Sequence, residues 1–319
     1  MLLTCRVVLW KLGLSVRKAF FMTAALTLQQ LIQIHDDSPD EVIAQLPGLI
    51  DSPALPPADH PRLAWLINHL LGEQKGDWRA AWTLLRRLPL SDAGPILLRH
   101  SLVAATLSGD ALEAWRLERQ WLAAGADAGM VRLQARLGVL QGLRQHGPLS
   151  GLLPALDELL QELEPVSASA DDAALASLAN NIVSGLLERE DLDDDSSSPR
   201  IVWRAAQCAR RLWGRAGNWV HHERAEYLLA LAANRFAQWR DGLQAADAGL
   251  ALIADNSEED VDRAFLLLER ARACFGLGRR DEGELAYQQA QTLAAAFDAS
   301  LRPWFDGCAS RARTEGQRA

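Results

Sequence analysis

From residue 23 onward the chain is punctuated: apolar residues recur at helical spacing in short segments, and Gly, Pro or Asp ends most of them. The pattern predicts helices over 23–34, 39–50, 60–73, 77–88, 94–108, 110–124, 128–146, 149–163, 171–189, 199–215, 217–236, 239–254, 258–277, 281–297 and 301–313. Most connections are short, which makes sequential helices antiparallel neighbours. Such a chain buries its apolar faces by packing hairpin on hairpin, so the expected fold class is all-α. Strands are poorly supplied, because Ala and Leu dominate and only 2 Tyr are present.

The hairpins also repeat. The clearest unit runs from Ala264 to Phe297, with Gly278 at its turn and Gly283, Tyr287 and Ala290 at small, aromatic and small positions of its second helix. Leu267 and Ala271 precede Gly283 by sixteen and twelve residues. In the unit before it, Trp239 follows the turn, Gly242, Ala246 and Gly249 keep the spacing, and Leu229 and Ala230 pair on the first helix. GDWRAAW (Gly76–Trp82), with Trp65 sixteen residues before Ala81, and GDALEAW (Gly109–Trp115) are further copies. Small residues let the two helices of a hairpin approach, while large ones fill the groove between them. This pattern resembles the tetratricopeptide repeat. Its usable motifs cover residues 60–125 and 217–297.

Taking Ala81, Ala114, Leu152, Ala205, Gly242 and Gly283 as anchors gives steps of 33, 38, 53, 37 and 41 residues, against a family period of about 34. His69 and Leu102 stand where the family has a small residue. The resemblance implies a right-handed α-α superhelix (an α-solenoid) of about seven hairpins with a C-terminal capping helix. The organisation read from the chain is a basic N-terminal extension over 1–21, an array over 22–190, an acidic loop over 191–198, and a second array with its cap over 199–319. The acidic stretch EREDLDDDSSSP (Glu188–Pro199) reads as a solvated loop ending in a helix-start Ser-Pro.

With 319 residues, 49% hydrophobic and 23% charged, the chain has the composition of a folded globular protein. Its net charge of −8 argues against a nucleic-acid partner, which needs clustered Lys and Arg. Lys11, Lys18 and Lys75 are the only lysines, an Arg bias that suggests a GC-rich, bacterial coding sequence. Cys5, Cys208, Cys274 and Cys308 form no C-x-x-C pair, so free thiols in a reducing cytoplasm are expected. Residues 1–21 carry Arg6, Lys11, Arg17 and Lys18 inside their apolar run, which suits neither a secretory signal nor a spanning helix. Peripheral membrane association through a basic amphipathic segment stays open, as does a translation start at Met22 rather than Met1.

Candidate chemistry fails on its spacing. Asp191, Asp193 and Asp195 alternate as in a calcium loop, but Ser196 and Val202 replace the Gly and bidentate Glu that complete the shell. His221, His222 and Glu223 suggest zinc, yet Glu226 stands where H-E-x-x-H places its second His. The chain contains no phosphate loop and no Gly-x-Ser-x-Gly elbow, and Gly276, Gly278 and Gly283 miss dinucleotide spacing. No catalytic residue, metal or cofactor is therefore expected. Six of the eleven tryptophans (Trp65, Trp78, Trp82, Trp115, Trp213, Trp239) sit at repeat-core spacing or beside turns, where burial is the ordinary explanation.

In the family that the chain resembles, first helices line a concave groove that holds a peptide. Aligned in this way, one groove-facing stripe is Arg224, Tyr227, Leu231, Asn234 and Arg235, and the next is Phe265, Leu268, Arg272 and Phe275. Upstream, Asn180 and Asn181 are similar to the paired asparagines of some first helices of the family. Donors beside aromatics suit a peptide backbone or carboxylate with apolar side chains. Alternatively, the Arg and Asn side chains solvate an exposed face while Phe265 and Phe275 pack under the terminal helix. The expected function is a non-catalytic scaffold or adaptor for a protein or peptide partner. A regulatory module that senses a small ligand and controls a partner in trans is the alternative.

Overall fold

A computed structural model describes residues 26–256 and 259–318, with side chains as far as Thr314. The basic extension over 1–21, Met22, Cys5 and the first residues of the helix over 23–34 lie outside the described residues, as do the starting residue of the helix over 258–277 and the chain's last residue. Every regular element among the described residues is helical. No described helix is long and apolar enough to cross a membrane.

Contacts divide the chain into two compact units, one ending at Gly147 and the next beginning at Pro148. The first contains α1 (Leu28–Ile34), α2 (Pro39–Ile50), α3 (His60–Ile67), α4 (Trp78–Leu85), α5 (Pro95–Ser108), α6 (Ala111–Ala123) and α7 (Ala128–Leu143). The second contains α8 (Leu149–Leu163), α9 (Asp172–Leu187), α10 (Ser198–Ala216), α11 (Trp219–Arg235), α12 (Trp239–Asn256), α13 (Asp260–Gly276), α14 (Arg280–Ala294) and α15 (Arg302–Arg318). The acidic stretch lies inside the second unit. Within it, Glu190–Asp194 forms a short 3₁₀ turn in which Leu192 is fully buried.

Within the first unit α5 is central and packs against α3, α4, α6 and α7. Its own Leu98 and the neighbouring Leu63, Leu66, Ile67, Leu70, Leu85 and Leu137 are fully or almost fully buried. The α3 helix runs on as a π-helical segment, Asn68–Gln74. Trp78, at the start of α4, lays its indole over Gly72 of that segment and Gly142 of α7; an added Cβ would lie 2.5 Å from the ring at Gly72 and 2.7 Å at Gly142. Trp82 is buried too and donates its Nε1–H to Asp110 Oδ2 at 3.0 Å. Trp115 departs from the expected burial. It is 58% exposed on α6, with Arg119 over its ring.

In the second unit each helix from α9 to α13 packs against its successor, and α9, α11, α13 and α15 also contact one another in series. Small residues sit where these helices meet: Ala205, Ala230, Ala246, Ala271 and Ala290 are fully buried. A Cβ on Gly283 would lie 2.6 Å from the Phe275 ring, and one on Gly249 2.8 Å from Leu266. Phe265 is enclosed by Tyr227, Phe297, Trp304 and Phe305, so α15 closes over α13. Cys208, Cys274 and Cys308 are buried free thiols.

The hairpin turns share one closure. Asp110 N–H reaches Ala105 O at 2.9 Å, Gln238 N–H reaches Ala233 O at 2.9 Å, and Arg279 N–H reaches Cys274 O at 2.9 Å. Such bonds satisfy carbonyls that a helix end leaves open, and they need a left-handed residue at the turn. Gly109 (φ 86°) and Gly278 (φ 74°) supply it, whereas between α11 and α12 the residue is Ala237 (φ 57°). Asp77, Asp110 and Asp127 then cap the helices that follow by accepting from Ala80, Glu113 and Met130 N–H.

Candidate functional site

The groove residues expected from the sequence fall on α11, α13 and α9, which pack side by side. Much of the stripe is spent joining them. Arg224 donates Nε–H to Asp262 Oδ2 at 2.9 Å and lies 3.5 Å from Glu223 Oε1. Asn234 is buried, and its Nδ2 donates to both the backbone oxygen (2.9 Å) and Oε2 (2.8 Å) of Glu269. Arg272 lies 3.5 Å from the same Glu269 carboxylate. Arg235 pairs with Asp193 at 2.6 Å, tying α11 to the 3₁₀ turn.

The aromatic half of the stripe is likewise internal. Phe265, Leu268 and Phe275 are buried and belong to the core; Phe265 faces α15, and Phe275 seats against Gly283. Helical spacing placed these residues on one face, and that face turns out to be shared between neighbouring helices. What the stripe leaves half-buried is Arg224, Tyr227, Leu231, Arg235 and Arg272, with Asn180 and Asn181 half-buried on α9.

Under the stripe lies an acidic core that periodicity did not reveal. Glu223 is fully buried, with Asp262 beside it. Burial, reinforced by the negative charge of Asp262, pushes its carboxyl far above the usual range, so Glu223 holds its proton at neutral pH. Burial also raises Glu226 and Glu259; Arg210, 2.6 Å from Glu226, offsets part of the effect there. The zinc-like histidines have structural work: His221 caps α11 with Asn218 and stacks on Trp213, and His222 Nε2 bonds Trp213 O at 3.1 Å. An open cleft occurs away from the stripe, lined by Arg240, Leu243, Gln244, Asp247, Leu277 and Arg279.

A second polar cluster lies in the first unit, around the π-helical segment. Glu73 is buried and accepts from Arg144 Nη2 (3.0 Å) and Gln141 Nε2 (2.7 Å) on α7 and just beyond it. His69 Nδ1 lies 3.1 Å from Glu73 Oε2, and His146 Nε2 lies 3.0 Å from the Glu73 backbone oxygen. Burial alone would raise this carboxyl, but the charge of Arg144 and the hydrogen bond from His69 override it and hold Glu73 at about 2. Trp65 stacks on His69 with ring centroids 5.4 Å apart, and His35, at the end of α1, meets both rings edge-on.

Sequence reasoning missed this cluster because its members come from three separated stretches, with no short motif joining them. The one available signal was His69 itself, a bulky residue at a position where the repeat wants a small one. The π-helical bulge that carries it is a rare feature, common at functional sites. Comparison with protein-family models gives no match for this chain, and comparison with curated protein sequences gives none either.

Proposed function

We propose that this protein is a non-catalytic scaffold of the tetratricopeptide type, in which a row of first helices presents a surface to a protein or peptide partner. The observation that carries this reading is the packing order of the second unit, where α9, α11, α13 and α15 contact one another in series. Shared turn closures and buried small residues at the repeat positions support it, since a stack of hairpins needs both. The partner would meet the half-buried remainder of the stripe: Tyr227, Leu231 and Arg235 on α11, Arg272 on α13, and Asn180 and Asn181 on α9.

Asn234 and Arg224 are poor probes of this surface, because they hold α13 in place. The better variant is Leu231→Asp, checked for folding by circular dichroism. Affinity capture from the native cell extract should then lose a partner that the unaltered protein retains. Capture of the same partners at the same yield would refute the assignment of this face.

A further inference from the structure

We propose that His35, Asp36 and His69 form a binding site for a divalent transition-metal ion of the zinc class. One ligating atom from each residue lies within 4.8 Å of the other two. Two imidazoles and a carboxylate make a borderline donor set, suited to zinc and its neighbours rather than to calcium or magnesium. A tetrahedral ion with bonds of about 2.1 Å spaces its ligand atoms roughly 3.4 Å apart. His35 Nε2 and Asp36 Oδ1 already stand 3.5 Å apart. His69 need close by no more than roughly 1.4 Å to complete the triangle, a side-chain adjustment.

Both imidazoles are set in the tautomer that a metal requires. His35 Nδ1 lies 2.6 Å from the Ile32 carbonyl oxygen, which only accepts, so the ring proton sits on Nδ1 and Nε2 carries the lone pair. At His69 the amide Nε2 of Gln74 lies 2.9 Å from ring Nε2. An amide nitrogen only donates, so the His69 proton is on Nδ1 and points at Glu73 Oε2.

That arrangement is the carboxylate–imidazole pair that orients metal-ligating histidines. Arg144 and Gln141 in turn hold Glu73, and Trp65 lies parallel to the His69 ring at 5°. The side chains of His35, Asp36 and His69 are 14%, 31% and 22% exposed, so an ion can reach them. Three protein ligands leave a position for water or for a group from outside. Gln74 occupies the lone pair of His69 and would be displaced by the ion.

The test titrates the purified full-length protein with Co²⁺ and follows its visible ligand-field absorption. One equivalent should bind, and Zn²⁺ should displace it. His35→Ala and His69→Ala should each abolish the bands at the same metal concentration. Glu73→Gln should weaken binding by about 10–100-fold, the usual effect of losing such a supporting group. Gln74→Leu should leave binding unchanged or tighten it. No ligand-field bands in the unaltered protein would overturn the proposal, as would bands of equal strength in His35→Ala. If His69→Ala fails to fold, His35→Ala and Asp36→Asn, at the end of α1, decide the matter by the same readout.

Discussion

Replacing Glu223 by Gln should flatten the dependence of stability on pH across the neutral range. In the folded protein Glu223 is enclosed with Asp262 nearby, and burial together with that neighbouring negative charge keeps the carboxyl protonated well above the ordinary value of 4.5. The unfolded chain releases that proton near 4.5. A raised carboxyl contributes stability that is fully present below the unfolded value and is lost as pH rises toward the folded one. One retained proton makes a slope of about 1.4 kcal/mol per pH unit, so between pH 5.5 and 7.5 the loss is roughly 3 kcal/mol. Gln has the shape of the protonated acid and no proton to lose. Glu223→Gln should therefore match the parent near pH 4.5 and exceed its stability by roughly 3–4 kcal/mol at pH 7.5. Urea unfolding followed by far-ultraviolet circular dichroism, repeated at half-unit steps from pH 4.5 to 8, measures both profiles. A residual slope from Glu226 and Glu259 is expected in the variant. Two profiles that run parallel would show instead that Glu223 is ionised in the fold.

Three further substitutions have defined outcomes. Glu73 is depressed to about 2 from 4.5, so its contribution is present above 4.5 and lost as pH falls through 2. The parent should shed roughly 3 kcal/mol over that acid window, while Glu73→Gln, weaker at pH 7, should show no such acid limb in the same unfolding assay. Ala237→Gly should stabilise the α11–α12 turn by about 1 kcal/mol, because a left-handed alanine is strained and glycine is not; a lower urea midpoint would contradict this. Gly142→Ala would push a methyl into the Trp78 and Leu107 side chains and should cost about 1–3 kcal/mol, read as a fall in Tm.

Helix existence was legible almost throughout. The expectation over 39–50 coincides with α2, and that over 149–163 with α8, because capping residues and prolines mark those ends in the sequence. The turn glycines Gly109 and Gly278 were equally readable, since a helix end that closes through a left-handed residue favours glycine there. Periodicity could not say what each polar face meets. Arg224 and Asn234 share a stripe with Tyr227, yet they end on Asp262 and Glu269, which lie 38 and 35 residues away. The same blindness hid the burial of Leu192 within the acidic stretch, and the bridge from Glu73 to Arg144 across 71 residues. Spacing reports a face; long-range pairing decides its occupant.

The recurrent turn closure has a consequence for how damage spreads. Each closing bond joins residues only five apart, so the backbone of a hairpin's elbow is closed by its own few peptides. Amide hydrogens at Asp110, Gln238 and Arg279 should therefore exchange with solvent independently of one another. A lesion in one elbow would loosen its own two helices and their immediate neighbours, leaving remoter hairpins as slow to exchange as before.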